Sequence, residues 1–141
     1  MKGNNFGRIF LAVVIASFVL EFCGGLLMRS AMLANGGVPW RPDPTTMGMA
    51  MFALISIVFA FPFTYIFQQG YRGGGAAEGM RYAIWITLLA SVVPNLVFGT
   101  LLPEGRRLPL EFIAVDLVTF LVCGALAGAL ASKGAARGAG A

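Results

Sequence analysis

Polar and apolar positions along the chain separate into four long apolar stretches joined by short polar ones. Residues 9–20, 47–70, 82–103 and 117–132 carry no charge at all. Crossing the roughly 30 Å hydrocarbon core of a bilayer takes about 20 apolar residues at about 1.5 Å of rise each. Four segments meet that requirement: 9–28, 47–67, 82–102 and 110–132. None alternates as a barrel strand does, and in lipid each backbone polar group must be satisfied within the element, so each segment is predicted to be helical. The pattern predicts an all-α polytopic membrane protein, a four-transmembrane-helix bundle over residues 1–132, with a disordered cytoplasmic tail over 133–141.

The joints carry helix-ending chemistry. Asn35, Gly36 and Gly37 stop the first helix, Trp40 fits an interfacial aromatic, and Asp43, Pro44, Thr45 and Thr46 form a helix start. The second joint is glycine-rich, from Gly70 through Gly73, Gly74, Gly75 and Gly79 to Tyr82. Gly70 is expected to cap the second helix in the left-handed conformation and Glu78 to fall in the first turn of the third. A flexible connector is the expectation, with lipid headgroup contact through Arg72 and Arg81 as the alternative. Without a preceding strand or a Gly-Lys-Ser/Thr run it is not a nucleotide-binding loop. Pro103 and Pro109 bracket the third joint.

Composition narrows the class. The chain is 58% hydrophobic and 11% charged, with a mean hydropathy of +0.82, whereas a soluble domain has about 25% charged residues. The few charges cannot clothe a water-exposed surface, so membrane lipids are the first expected partner and nucleic acid is not expected. Lys2 and Arg8 before an apolar run suit a signal peptide, but the run is long, holds Glu21 and lacks a clean A-x-A site, so an uncleaved anchor is expected. Lys2, Arg8, Arg72, Arg81, Lys133 and Arg137 gather on one side of the predicted topology, against Arg41, Arg106 and Arg107 on the other. That bias predicts both termini in the cytoplasm.

Phe63, Thr64, Tyr65, Ile66 and Phe67, followed by Gly70, Tyr71, Gly73, Gly75, Glu78, Gly79, Arg81 and Tyr82, resemble a signature in a family of small, uncharacterised bacterial four-helix membrane proteins. The resemblance covers about twenty residues and the four-helix layout, and implies a multi-pass protein of the bacterial inner membrane with no assigned activity.

Candidate chemistry is sparse. There is no histidine, no metal site or cofactor is expected, and Cys23 and Cys123 lie inside apolar helices as packing residues. Small and polar residues recur at spacings of four: Ser17, Glu21, Gly25 and Arg29; Ser56, Ala60 and Thr64; Thr87, Ser91, Asn95 and Gly99; Asp116, Gly124, Gly128 and Ser132. These stripes are predicted to line helix contacts, through close approach at Gly25, Gly124 and Gly128 and through hydrogen bonds between helices. The Gly124, Gly128 pair suits packing within one chain or a homo-oligomer.

Measured along each span, Glu21 and Asn95 fall roughly 4 Å, and Asp116 roughly 7 Å, outward of the middle. A charge at the bilayer centre costs about 2.5–3.5 kcal/mol on insertion scales, so both carboxyl groups are expected to face the interior. One reading is a protonatable binding site made of Glu21, Asn95, Asp116 and Arg29. The other is a structural network in which Arg29 neutralises Glu111 or Asp116, Asn95 bonds a carboxylate, and Glu21 has no evident basic partner. Two functions fit: an integral inner-membrane scaffold or accessory subunit that packs against other membrane subunits, or a small proton-coupled carrier using Glu21. A lone acid in the first of four helices resembles the layout of small multidrug transporters. An enzyme acting on lipid ranks third, and no catalytic residue is assigned.

Overall fold

The computed structural model describes residues 4–34, 46–101 and 107–139. The elements are α1 (Asn4–Ala34), α2 (Thr46–Gly70), α3 (Gly75–Thr87), a π-helical turn (Leu88–Val92), α4 (Val93–Leu101) and α5 (Arg107–Ala139). Since α3, the π turn and α4 form one continuous rod, four helices are long and apolar enough to cross a membrane: Asn5–Met28, Gly48–Gly70, Gly75–Thr100 and Pro109–Gly134. The chain is an all-α four-helix bundle, as the apolar pattern predicts, and a multi-pass membrane protein. Leu27, Leu89 and Trp85 are 80%, 71% and 68% exposed, an arrangement that water would penalise and lipid tails accept.

Two boundaries differ from the expected ones. The third span begins at Gly75 rather than near residue 82, which shrinks the glycine-rich joint to Tyr71, Arg72, Gly73 and Gly74. That joint is an ordered turn. Glu78 accepts hydrogen bonds from the backbone N–H of Arg72 at 2.8 Å and of Gly74 at 2.7 Å. The Tyr71 hydroxyl accepts from the Gly75 N–H at 3.1 Å and donates to the Gly128 carbonyl at 3.4 Å, tying the turn to α5. The left-handed conformation falls on Gly73 and Gly75, not on Gly70. At the other end α5 stays helical to Ala139, past the expected tail boundary at residue 133, in keeping with its alanine content. Trp40, Arg41, Asp43, Pro103, Arg106 and the helix-stopping Asn35, Gly36 and Gly37 lie outside the described residues.

Helix α5 packs against α1 on one side and α3 on the other, and α2 lies on α1. The α3–α5 contact is backbone against backbone. A Cβ added at Gly79 would collide with the Gly124 carbonyl, and one at Gly128 with the Gly75 carbonyl. One at Gly124 would strike the Gly79 carbonyl and lie 2.8 Å from the Ala83 Cβ. Gly124 and Gly128 therefore serve packing within the chain, where small side chains let helices approach in the absence of a hydrophobic drive. On α1 it is Gly24 that is buried, against Val115, while Gly25 is half-buried.

Helix α2 is attached differently, by aromatic rings. Phe61 meets Phe6 and Phe10 edge-on, Phe52 meets Phe22, and Phe59 stacks on Phe120 with centroids 4.6 Å apart. Tyr82 lies against Phe63 and Phe67 and donates its hydroxyl to the Phe63 carbonyl at 3.3 Å. Ile9, Val13, Ala60, Phe63, Phe67, Cys123, Ala127 and Ala131 form the buried core between these contacts.

Gly79→Ala and Gly124→Leu are expected to destabilise the protein by about 1–3 kcal/mol or more, since backbone atoms rather than flexible side chains stand in the way. Gly70→Ala, with nothing within 4 Å of an added Cβ, is the matched control. Thermal unfolding in detergent checks this, and equal stability for all three variants would refute the packing scheme.

Candidate functional site

Most hydroxyls on the small-residue stripes bond back to their own helix rather than across to another. Ser17 donates to the Val14 carbonyl, Ser56 to Phe52, Thr87 to Ala83 and Ser132 to Ala129. Such bonds satisfy the hydroxyl locally and leave little for cohesion between helices. This corrects the expectation that the stripes act as interhelical polar glue. Among the described residues the exception lies where α1, α5 and the third span meet.

There the Glu21 carboxyl group of α1 and the Asp116 carboxyl group of α5 are hydrogen-bonded to each other. Ser91, buried in the π turn, donates its hydroxyl to Asp116 Oδ2. Asn95 of α4 donates Nδ2 to the Ser91 carbonyl at 3.0 Å and to its Oγ at 3.3 Å. The Thr119 hydroxyl faces Glu21 from one turn along α5, is 1% exposed, and closes no hydrogen bond of ordinary geometry. Cys123, a further turn on, is buried within electrostatic reach of Glu21, with Sγ 3.9 Å from the Val13 carbonyl.

The local sequence explains why Ser91 stands at this point. Pro94 has no N–H to offer the Ala90 carbonyl, and its ring would crowd that carbonyl in a regular α-helix. The chain answers with the wider turn of Leu88–Val92, in which the Val93 N–H reaches back to the Leu88 carbonyl. Single π turns of this kind occur often at functional sites. The Pro62 of α2 has no such turn and sits inside a continuous helix.

Of the four predicted site residues, Glu21, Asp116 and Asn95 come together. Asn95 reaches Asp116 through Ser91 instead of bonding a carboxylate directly, and the partner of Glu21 is the other acid. The side chain of Arg29 lies outside the described residues. No described basic group contacts the pair. Glu111 lies on α5 five positions before Asp116 and has interactions of its own. Sequence reading missed Thr119, although its spacing of three from Asp116 puts it on the same helical face, and placed Ser91 only on a packing stripe. Cys23 is exposed and Cys123 buried, both as free thiols.

Fold and site together define a four-helix multi-pass membrane protein with a carboxyl pair buried between its first, third and fourth spans. No family model, no curated protein and no solved structure matches the chain.

Replacing Ser91 with Ala removes a donor to a carboxyl group, a bond worth about 1.5–3 kcal/mol when one partner is charged. Ser56→Ala removes only a bond back to its own helix. Unfolding in detergent is expected to show a clear loss for the first variant and less than half of it for the second; equal losses would remove Ser91 from the network.

Proposed function

We propose that the protein is a small proton-linked membrane carrier whose proton-binding centre is the Glu21–Asp116 pair. The observation that carries this reading is the hydrogen bond between two carboxyl groups on different spanning helices. Such a bond needs a proton between its oxygens, because two ionised carboxylates in contact repel. Placed within apolar spans, the shared proton also reduces the charge that lipid and helix must accommodate. A pair of this kind stores a proton that it can release only when something else balances the charge, and that is the elementary requirement of exchange transport.

The chain's small residues bear on the competing subunit reading. A scaffold that binds partner helices through small-residue faces draws less support, since Gly124 and Gly128 already hold α3. Other membrane subunits, or a second copy, would have to meet the apolar surface outside that face. The address that suits the carrier is a bacterial inner membrane with both termini cytoplasmic. It is supported by the excess of Lys and Arg near the termini and the 71–74 turn and by the resemblance of that turn to a bacterial signature.

Two measurements test this reading. Reporters of periplasmic location fused after Gly37 or Gly105 are expected to be active, and those after Gly74 or Ala141 inactive; the reverse pattern would sink the orientation. For the carrier itself, infrared spectra of purified protein are expected to show a protonated carboxyl band that Glu21→Gln and Asp116→Asn each remove. Both variants are also expected to lower proton flux in reconstituted vesicles by about tenfold or more, equivalent to about 1.4 kcal/mol on the barrier. Wild-type flux in both would exclude the pair from transport.

A further inference from the structure

We infer that the site exchanges its shared proton for a monovalent alkali cation, with Glu21, Asp116, Ser91 and Thr119 supplying the oxygen ligands. The inference rests on the proton-linked reading above and names what replaces the proton. Its starting point is Thr119. A buried hydroxyl with no hydrogen bond is uncommon, because leaving it unsatisfied costs about 1–3 kcal/mol. Here that hydroxyl is 1% exposed and turned toward Glu21. Facing it across the pair is the Ser91 hydroxyl, already directed at Asp116 and backed by the Asn95 amide. Hydroxyl and carboxyl oxygens converge on one point from α1, α5 and the π turn.

The donor set selects the chemistry. Carboxylate and hydroxyl oxygens suit hard cations, and the described residues hold no cluster of three His, Cys, Asp or Glu side chains for a transition metal. The two carboxyl groups touch each other, so the group that takes the proton's place is a bare ion rather than a bulky organic cation. Charge favours a monovalent one. The pair with one proton carries a single negative charge, and the ionised pair with one alkali cation carries the same. The proton leaves to water, the cation takes its place, and the site's electrostatics stay level through the exchange. The only hydrogen bond that must change is the one between the carboxyl groups, and Thr119 gains a partner its hydroxyl lacks.

Other titratable groups near the pair are limited among the described residues. From α5 come Cys123, in electrostatic reach of Glu21, and Glu111, five positions before Asp116. The third span faces the pair with Ser91 and Asn95, which do not titrate, and no titratable group of α2 is in contact with it.

The test uses full-length protein in detergent, titrated with NaCl against choline chloride at equal ionic strength, and reads the protonated carboxyl band and proton release into weak buffer. Sodium is expected to remove the band and release protons, and choline to do neither. Thr119→Val is expected to raise the sodium concentration needed by about tenfold or more, with Thr119→Ser restoring it. Thr64→Val, which removes the other unpartnered buried hydroxyl, is expected to leave it unchanged. A band that responds to pH but to no alkali cation would overturn the cation and leave the proton-linked reading standing. Absence of the band at every pH would overturn both. Displacement by CaCl2 in place of NaCl, or an unaltered Thr119→Val, would overturn the monovalent site as drawn.

Discussion

Helices surrounded by lipid gain nothing from hiding apolar side chains against each other, so how closely two backbones can approach decides what the rest of the bundle does. Here the closest approach is between Gly79 of α3 and Gly124 of α5, where each glycine occupies space in which the other's Cβ would clash with a carbonyl. The two helices run antiparallel from that contact. Moving along α3 toward Ser91 means moving back along α5 toward Asp116, and the register set by the glycines brings those two side chains into hydrogen bond. The Tyr71 hydroxyl, bridging the Gly75 N–H and the Gly128 carbonyl, holds the same register at the turn. The polar site is thus a consequence of apolar packing about 18 Å away along the helix.

The bundle has two kinds of joint, and the difference matters for the site. Between α5 and its neighbours α3 and α1 the contacts are small residues, with Gly79, Gly124, Gly128 and Gly24 at their centres. Such joints have few rotamers to rearrange and hold one geometry. Helix α2 is attached through rings, Phe59 on Phe120 and Phe61 against Phe6 and Phe10. These rings fill a wider gap and bring large areas into contact at each position. Each site residue that bonds across helices comes from the closely packed set: Glu21 from α1, Asp116 from α5 and Ser91 from the third span.

Much of this was legible in the residues. The four spans follow from apolar length alone, and Glu21, Asn95 and Asp116 were placed at similar depth by counting along the helices. Gly124 and Gly128 were recognisable as a packing pair, but whether they served α3 or a second chain needed the partner face, Gly75 and Gly79, which reads in sequence as loop. Glu78 concealed this, because it stabilises an ordered turn only through hydrogen bonds to N–H groups that glycine flexibility makes accessible. The hydroxyls were over-read for a related reason: a serine on a helical face looks like a partner for its neighbour until its bond to the carbonyl one turn back is seen. Pairing of the two acids was the least legible feature, since opposite charges are the usual expectation and a bond between like groups depends on a proton that sequence does not display.

That proton joins the packing to the chemistry. An isolated Glu21 in its span would have to turn toward water or find a base, and an isolated Asp116 likewise. Facing each other, they need one proton between them, and the Ser91 hydroxyl, carried inward by the π turn before Pro94, completes the coordination of the Asp116 side. The Glu21 side is completed less well, for Thr119 stands beside it with its hydroxyl unengaged. A structural network would be expected to close at every member, because an unsatisfied buried group subtracts from the stability the network provides. This one closes firmly on α5 and the third span and stays open toward α1, so the asymmetry directs any exchange of the proton to the Glu21 side of the pair.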